Sequence, residues 1–198
     1  MPTLPMADPL EWFDEWMTEA HQSSEPEPTA MSLATVNPEG QPTVRIVLLK
    51  AFDRKGFVFY TNLNSAKGRH LKAHSRAGLC VMWKSLGRQV RIDGAAMEVD
   101  DEEADAYFAS RPRDSQIGAW ASKQSQPLAD RATLKKRVAK FQERFADGPV
   151  PRPPFWSGFR LVAETIEFWT IGEHRLHDRW QFLRQGSKWD WQRRRLYP

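Results

Sequence analysis

The chain is poor in the residues that build covalent cross-links and metal centres. Cys80 is the only cysteine among the 198 residues, which excludes an intramolecular disulfide and a zinc site built on thiolates. His174 and His177 lie close together, but neither has a carboxylate or cysteine at ligand spacing, and no serine nucleophile elbow occurs. Hydrolase and metalloenzyme classes are therefore disfavoured, and we expect no bound metal.

Long apolar runs and long blocks of one charge are also missing. No apolar run approaches the ~18 residues that cross a bilayer, and no basic segment followed by an apolar core marks a signal peptide. We therefore expect a cytoplasmic protein without a membrane partner. The net charge is +4 and the pI about 9.3, and the densest basic run is Arg193-Arg194-Arg195. This mild basicity favours small phosphate-bearing ligands over nucleic acid.

Apolar and turn-forming segments alternate in a way that predicts a strand-rich fold. Aromatic residues make up 12% of the chain and include nine tryptophans, which is enough apolar surface for a hydrophobic core. The predicted strands are residues 30–36, 44–52, 57–61, 77–83, 89–99, 158–169, 175–184 and 188–196. Tight turns between neighbouring strands favour an antiparallel meander. Because a βαβ rhythm and a glycine-rich dinucleotide fingerprint are both absent, a barrel or sandwich is favoured over a doubly wound sheet.

Capping signals predict the helices that flank these strands. The predicted starts are Asp8-Pro9, Ser65, Asp100 with Glu103, and Asp114, and a last amphipathic helix is marked by Leu134, Val138, Phe141 and Phe145. The acidic cluster at residues 100–103 suits the positive end of a helix dipole. A structural role for this cluster is therefore favoured over a catalytic or metal-binding one.

One stretch near the C-terminus carries an unusual charge pattern. If residues 175–184 form a strand, side-chain alternation places Arg175, His177 and Arg179 on one face. Buried charges must be paired, whereas three donor-rich side chains form a suitable wall for an anionic ligand. The alternative is a solvated edge strand protected by its charges, and the pattern leaves both interpretations open.

A second candidate site lies at a predicted helix corner. Tyr107, Arg111 and Ser115 are spaced by four residues, so a phenol, a guanidinium and a hydroxyl could converge on a phosphate beside a helix N-terminus. The alternative is a corner whose polar groups satisfy one another. In the predicted strand 44–52, Arg45 and Lys50 have opposite parity and should face different partners unless a bulge intervenes. The alternative there is a pair of cations that extend into solvent from the strand ends.

Several runs, in their order and spacing, resemble the pyridoxine/pyridoxamine 5'-phosphate oxidase family. The matching runs are residues 45–50, 57–62, 88–91, 110–120, 124–125, 167–169 and 175–179. The resemblance extends from Ala7-Asp8-Pro9 to Arg195-Leu196-Tyr197-Pro198 and so covers most of the chain. It implies an α+β fold, a mainly antiparallel split β-barrel with flanking helices that binds FMN and works as a homodimer with flavin sites at the subunit interface.

This resemblance also implies a domain organisation and a reaction. Residues 1–198 would form one FMN-binding domain, with an N-terminal helix (7–22), barrel strands (29–99), a helical insertion (100–146) and C-terminal strands (155–198). The implied reaction is oxidation of pyridoxamine or pyridoxine 5'-phosphate to pyridoxal 5'-phosphate by hydride transfer to the flavin. Molecular oxygen then reoxidises the flavin and yields hydrogen peroxide. The protein itself would supply orientation and electrostatics.

Site residues are carried over by motif. The implied FMN contacts are Arg45, Ile46, Val47, Leu48, Leu49, Lys50, Tyr60, Thr61, Lys67, Gln89, Gln124, Ser125, Trp169 and Arg179. The implied substrate contacts are Lys50, Tyr107, Arg111, Ser115, Arg175 and His177, and the last two are the implied catalytic residues. No metal ligand is implied.

Three departures from the family pattern leave other functions open. Ala66 stands where the family usually has an arginine, an Arg-Arg-Glu-Tyr-like segment ahead of the first helix is absent, and the loop 170–174 differs from the commonest pattern. We expect weaker FMN binding from the first departure and altered substrate closure from the second. The alternatives are a related flavin oxidase acting on another ring, such as a phenazine precursor, and a non-catalytic FMN- or pyridoxal-phosphate-binding protein. A nucleic-acid binder is a more distant alternative prompted by the pI alone.

Overall fold

The structure is a computed structural model that describes residues 7–186 and 189–198. Its strands are β1 (Ala30–Val36), β2 (Pro42–Leu48), β3 (Ala51–Asp53), β4 (Gly56–Asn62), β5 (Arg76–Trp83), β6 (Arg88–Glu98), β7 (Trp156–Thr170), β8 (Asp178–Arg184) and β9 (Trp191–Leu196). Its helices are α1 (Pro9–Gln22), α2 (Ala66–Ala73), α3 (Asp101–Ser110), α4 (Arg113–Ala121) and α5 (Arg131–Arg144). Two single 3₁₀ turns lie at Lys84–Leu86 and Glu173–Arg175.

The strands form one antiparallel sheet that branches at β7. The order is β2-β1-β5-β6-β7-β4-β3, with β8 on β7 and β9 on β8. One edge of β7 pairs with β6 along most of its length, while the other edge pairs first with β4 and then with β8. The predicted mainly antiparallel α+β fold is confirmed. Since β7 is shared, its two ends belong to different parts of the sheet.

A strand break lies where a continuous strand was predicted. The prediction of one strand over residues 44–52 is wrong, because the chain leaves the sheet at Leu49 and Lys50 between β2 and β3. The amide of Leu49 donates to the carbonyl of Thr29 at 2.9 Å, and the amide of Lys50 donates to the carbonyl of Val58 at 2.9 Å. The backbone groups therefore remain paired, and β2 is joined to β4 across the barrel.

The hydrophobic core lies between the curved sheet and α1. Asp8 caps α1 by accepting from the Leu10 amide, and Pro9 is the first helical residue, as predicted. The buried face of α1 places Phe13 against Phe57 with ring centroids 5.1 Å apart, and Trp12 against Phe168 at 4.2 Å. Offset and edge-on aromatic pairs of this kind add to the free energy of burying their area.

The remaining helices lie beside the barrel, and one predicted cap is wrong. Ser65 caps α2 and Asp100 caps α3 as predicted. Asp114, however, is the second residue of α4 rather than its cap, because Pro112 holds the N-cap position with a φ of −53°. A proline at this position begins the new helix directly after the break between α3 and α4.

The C-terminal strands begin later than predicted. Instead of starting at residue 175, β8 starts at Asp178, so the prediction that Arg175, His177 and Arg179 share one strand face is wrong. The backbone at His174 and Arg175 has φ values of 53° and 65°, which is incompatible with a strand. Strand β9 starts at Trp191, and the predicted start at Lys188 lies outside the described residues.

Among residues 7–186 and 189–198, no group of three or more histidine, cysteine, aspartate or glutamate side chains is arranged to hold a metal ion. Within the same residues, no helix has the length and apolarity needed to cross a membrane.

Candidate active site

A cleft of about 500 Å³ lies between the barrel and the helices α3 and α4. Eleven of the predicted site residues line it: Ile46, Val47, Leu48, Lys50, Tyr60, Thr61, Lys67, Tyr107, Arg111, Ser115 and Gln124. The break after β2 positions Lys50, β4 positions Tyr60 and Thr61, and the α3–α4 corner positions the three residues that were spaced by four in the sequence. The structure thus brings together side chains from three distant segments of the chain.

Sequence reasoning missed part of the cleft wall. The additional lining residues are Asn62, Gly118, Ala119, Ser122 and Trp156. The sequence carried a signal for three of them, Gly118, Ala119 and Ser122. These residues lie three, four and seven positions after Ser115, which is the spacing of one helical face. Trp156 follows a proline-rich connector, and nothing in its local sequence indicates which side of β7 it faces.

Arg111 is the most unusual side chain in the cleft. Its Nη1 atom is buried and has no hydrogen-bond partner among the described residues, and its guanidinium lies 4.8 Å from the centre of the Trp156 ring. Burial lowers the pKa of Arg111 below its usual value. A guanidinium stays charged in proteins, and an unpaired buried charge is costly. The geometry therefore fits an anionic ligand that supplies the missing acceptor.

A second cationic group lies around Lys67, two positions into the α2 segment. Its Nζ lies 3.3 Å from Thr61 Oγ1 and 3.3 Å from Gln124 Oε1. Burial, together with the nearby Arg45, lowers the pKa of Lys67. Arg45 itself does not line the cleft, because its guanidinium donates to the Leu33 carbonyl at 3.0 Å and to the hydroxyl of Thr35 at 2.7 Å. Arg45 therefore contacts β1, whereas Lys50 lines the cleft. The two cations face different partners as predicted, but through the break after Leu48 and not through the parity of one continuous strand.

Three aromatic rings form one wall of the cleft. Tyr60 stacks on Tyr107 with centroids 3.9 Å apart, and Trp156 continues the stack 5.4 Å from Tyr60. Burial and the hydrogen-bonded carboxylate of Glu103 raise the pKa of Tyr60 to about 12. Arg160 holds that carboxylate through bonds of 2.8 and 2.9 Å. The wall is thus fixed by a salt bridge between β7 and α3.

The other predicted site residues form a second group on β6, β7 and β8. Gln89, Trp169 and Arg179 are neighbours in register across these three strands. The imidazole of His177 lies against the Trp169 ring, with centroids 4.6 Å apart. Arg179 donates to the buried carboxylate of Glu167 at 2.9 Å and to the carbonyl of Tyr197 at 3.0 Å. We refer to Gln89, Trp169, His177 and Arg179 as the β7-end group.

Four predicted residues lie in neither place, and Arg45, described above, is one of them. The side chain of Leu49 is in the barrel core with 5% exposure. Ser125 is exposed and has a φ of 68°, next to Gln124 but outside the cleft wall. Arg175 is exposed in the loop before β8. The sequence alone did not distinguish these positions from their neighbours, because each belongs to a matching run that also contains residues of the cleft or of the β7-end group.

The cleft and the β7-end group lie at opposite ends of β7. Trp156 in the cleft and Trp169 in the β7-end group lie 13 positions apart on β7, which corresponds to roughly 40 Å of strand at about 3.3 Å per residue. None of the four members of the β7-end group lines the cleft.

The fold and the cleft define a class: a split-barrel protein with a cationic, aromatic-walled cleft suited to phosphate-bearing ligands. The family model for pyridoxamine 5'-phosphate oxidase matches residues 17–145. The model for the pyridoxine 5'-phosphate oxidase C-terminal dimerisation region matches residues 156–198. The chain therefore belongs to the pyridoxamine 5'-phosphate oxidase family.

Individual relatives agree with this assignment. The pyridoxine/pyridoxamine 5'-phosphate oxidases of Brucella canis and Brucella abortus (strain S19) are each 53% identical over 192 residues, covering 97% of this chain and 95% of the relative. The predictions of this family, of an oxidase and of FMN as the family's cofactor are confirmed.

Solved structures share the fold. PhzG from Burkholderia lata 383, in complex with tetrahydrophenazine-1-carboxylic acid, is 31% identical with a TM-score of 0.91 and covers 98% of this chain and 94% of its own. A pyridoxamine 5'-phosphate oxidase-related, FMN binding protein from Nostoc punctiforme has a TM-score of 0.78 at 16% identity and covers 98% and 100%. At that identity, the second likeness concerns the fold alone.

Proposed function

We propose that the protein oxidises pyridoxamine 5'-phosphate and pyridoxine 5'-phosphate to pyridoxal 5'-phosphate, using FMN and molecular oxygen and releasing hydrogen peroxide. The observation that carries this proposal is the buried, unpartnered Nη1 of Arg111 in the cleft wall. A phosphate supplies several strong acceptor oxygens to such a donor. The 53% identity to oxidases of these two vitamers supports the same substrate class.

The substrate phosphate is assigned to the α3–α4 corner. Arg111, Lys50, Tyr107 and Ser115 all line this part of the cleft, and together they offer a guanidinium, an ammonium and two hydroxyl donors. Lys50 is exposed, whereas Arg111 is half-buried against Trp156. Lys50 therefore acts as a mobile point charge, and Arg111 acts as the fixed donor that sets the position of the phosphate.

The FMN phosphate is assigned to the end of the cleft around Lys67. Thr61 and Gln124 hold the Lys67 ammonium from one side, and its lowered pKa is what a nearby anion would reverse. Ala66 adds no donor here, so we expect weaker FMN retention than an arginine would give. When bound, FMN supplies the hydride acceptor and reacts with oxygen.

The active site is proposed to be completed by a second copy of the chain. Arg175 and His177 are assigned to the substrate ring, and Trp169, Gln89 and Arg179 to the flavin. These residues lie at the opposite end of β7 from the cleft. A two-fold symmetric dimer can place the β7-end group of one protomer at the cleft of its partner. The match to the family's C-terminal dimerisation region supports this arrangement.

An absorption experiment tests the proposal directly. The protein, saturated with FMN, is mixed with pyridoxine 5'-phosphate in the absence of oxygen, and the flavin band is followed. We expect the band to bleach, then to recover with one equivalent of peroxide when oxygen is admitted. Persistent colour with the phosphorylated vitamers would exclude this function and favour a non-catalytic flavin-binding role. Unphosphorylated pyridoxine serves as the control and should react much more slowly.

A related oxidase activity on a phenazine precursor is the second candidate. It is favoured by the TM-score of 0.91 to PhzG, whose structure contains tetrahydrophenazine-1-carboxylic acid. A carboxylate could also pair with Arg111. The same anaerobic experiment with this ring as substrate separates the two candidates, because only the true substrate should reduce the flavin at a catalytic rate.

A further inference from the structure

The loop between β7 and β8, residues 171–177, has a tightly specified backbone. His174 and Arg175 are consecutive non-glycine residues with φ values of 53° and 65°. The amide of Ile171 donates to the Gly87 carbonyl at 2.8 Å, and the amide of Leu176 donates to the Glu173 carbonyl at 2.9 Å. Left-handed backbone at such residues is energetically unfavourable and persists where surrounding contacts enforce it.

Gly172 allows the two ends of this loop to touch. Its own backbone is extended, with a φ of −126°, so glycine is not needed for a left-handed conformation. It is needed for space, because a Cβ atom at this position would lie 2.0 Å from the backbone oxygen of Leu176. As a result, the amide nitrogen of Gly172 comes within 3.2 Å of Nδ1 of His177.

This contact determines which imidazole nitrogen carries the proton. A backbone N–H can only donate, so Nδ1 of His177 must be the acceptor. In the neutral imidazole the single proton then resides on Nε2. The Trp169 ring packs beside the imidazole and restricts its rotation. The two ring centroids are 4.6 Å apart, and the interplanar angle is 45°. Among the described residues, no hydrogen bond is recorded at Nε2, so that N–H is free to meet a ligand.

We propose that Gly172 is a positioning residue that fixes the tautomer of His177, so that His177 presents an Nε2–H donor to an oxygen substituent of the substrate ring. The ligand in this statement rests on the proposed function, whereas the tautomer does not. In this role neutral His177 orients the ring and stabilises negative charge on its oxygen. It does not remove a proton through Nε2, because that nitrogen already carries one.

Nitrogen NMR of the ring-labelled protein tests the tautomer without any turnover. The five histidines give separate signals, and His177 is assigned by its loss in His177→Gln. We expect a protonated Nε2 and an unprotonated Nδ1 in the FMN-loaded, substrate-free enzyme, and a mixed or reversed pattern in Gly172→Ala. Glu173→Ala, an exposed change in the same loop, should leave the pattern as in the parent protein. A parent protein with the proton on Nδ1, or an unchanged pattern in a folded Gly172→Ala, would overturn the proposal.

Two substitutions at His177 test the donor role and do not depend on the folding of Gly172→Ala. The side-chain amide of glutamine can place an N–H donor near the position of Nε2, whereas asparagine reaches only to the position of Nδ1. We expect His177→Gln to retain at least about fivefold more kcat/KM for pyridoxine 5'-phosphate than His177→Asn, the range of one neutral hydrogen bond. The opposite order contradicts the donor role. If the parent enzyme does not oxidise this substrate, the function fails while the NMR result still decides the tautomer.

Discussion

The buried Nη1 of Arg111 indicates an anion site more directly than any motif in the chain. The sequence predicted that Tyr107, Arg111 and Ser115 could converge, but it could not decide between a ligand site and a self-satisfied helix corner. That decision depends on Trp156, which lies 45 positions further along the chain and shields the guanidinium from solvent. A local sequence pattern carries no information about such a contact.

Arg111→Met should separate ligand binding from stability. We expect KM for pyridoxine 5'-phosphate to rise about ten- to hundredfold, the range for losing a charge-assisted hydrogen bond. The melting temperature without ligand should not fall, because Nη1 has no partner among the described residues. Arg144→Met, which removes a guanidinium 5.2 Å from the Trp120 ring, is the matched control and should leave KM unchanged. A large fall in stability without a change in KM would assign Arg111 a structural role.

Arg175 and Arg179 are predicted to serve different ligands. Arg175→Ala should lower kcat/KM with little change in FMN affinity, since Arg175 is an exposed loop residue. Arg179→Ala should weaken FMN binding about ten- to hundredfold, measured by recovery of flavin fluorescence on dissociation. Arg194→Ala, which removes an exposed bond from Arg194 on β9 to Gln181 on β8, controls for disturbance of the sheet. Equal effects of both substitutions on both ligands would contradict this division.

At the scale of elements, the errors of the sequence prediction occur where chain geometry depends on distant contacts. The apolar and β-branched residues of 30–36 placed β1 well, and the capping signal of Asp100 with Glu103 placed the start of α3 well. The break at Leu49 and Lys50 is invisible in the apolar run that contains it, since it is enforced by hydrogen bonds to Thr29 and Val58. The late start of β8 likewise depends on the turn formed by residues 173–175. The alternation of residue types that suggested a strand extends into this turn, although the strand itself begins only at Asp178.

The position of α3 should depend on the salt bridge between Glu103 and Arg160. In Glu103→Gln the pKa of Tyr60 should fall from about 12 toward its usual 10.0, as read from the ultraviolet titration of tyrosinate. Because folding raises the pKa of Tyr60, the folded protein keeps a proton that the unfolded chain loses above pH 10. The free energy of unfolding therefore falls as the pH rises from 10 to 12. The substitution should reduce this loss. Asp105 lies on the same helix and pairs with Arg152. Asp105→Asn is therefore the control and should leave the Tyr60 titration unchanged.

At the scale of the whole molecule, the structure places the motif residues in two groups at opposite ends of β7. The family resemblance predicted which residues belong to the site, because short runs in the right order are specific. It did not show which residues meet within a protomer. Which residues meet depends on the path of β7, where the sheet branches between the Trp156 end and the Trp169 end. A short run of residues does not predict that path.

Subunit complementation tests the shared site. At substrate concentrations near the parent KM, Arg111→Met should impair the cleft and Arg175→Ala should impair the loop, so each homodimer should have low activity. If the loop of one protomer serves the cleft of its partner, random exchange makes half of the dimers hybrid, and each hybrid has one intact site. Activity should then recover to about one quarter of the parent value, as two-fold symmetry requires. Mixing Arg111→Met with Lys50→Met is the matched control, because both changes lie in the cleft and no intact site can form. No recovery in the first mixture, with exchange verified, would place both groups in the same protomer.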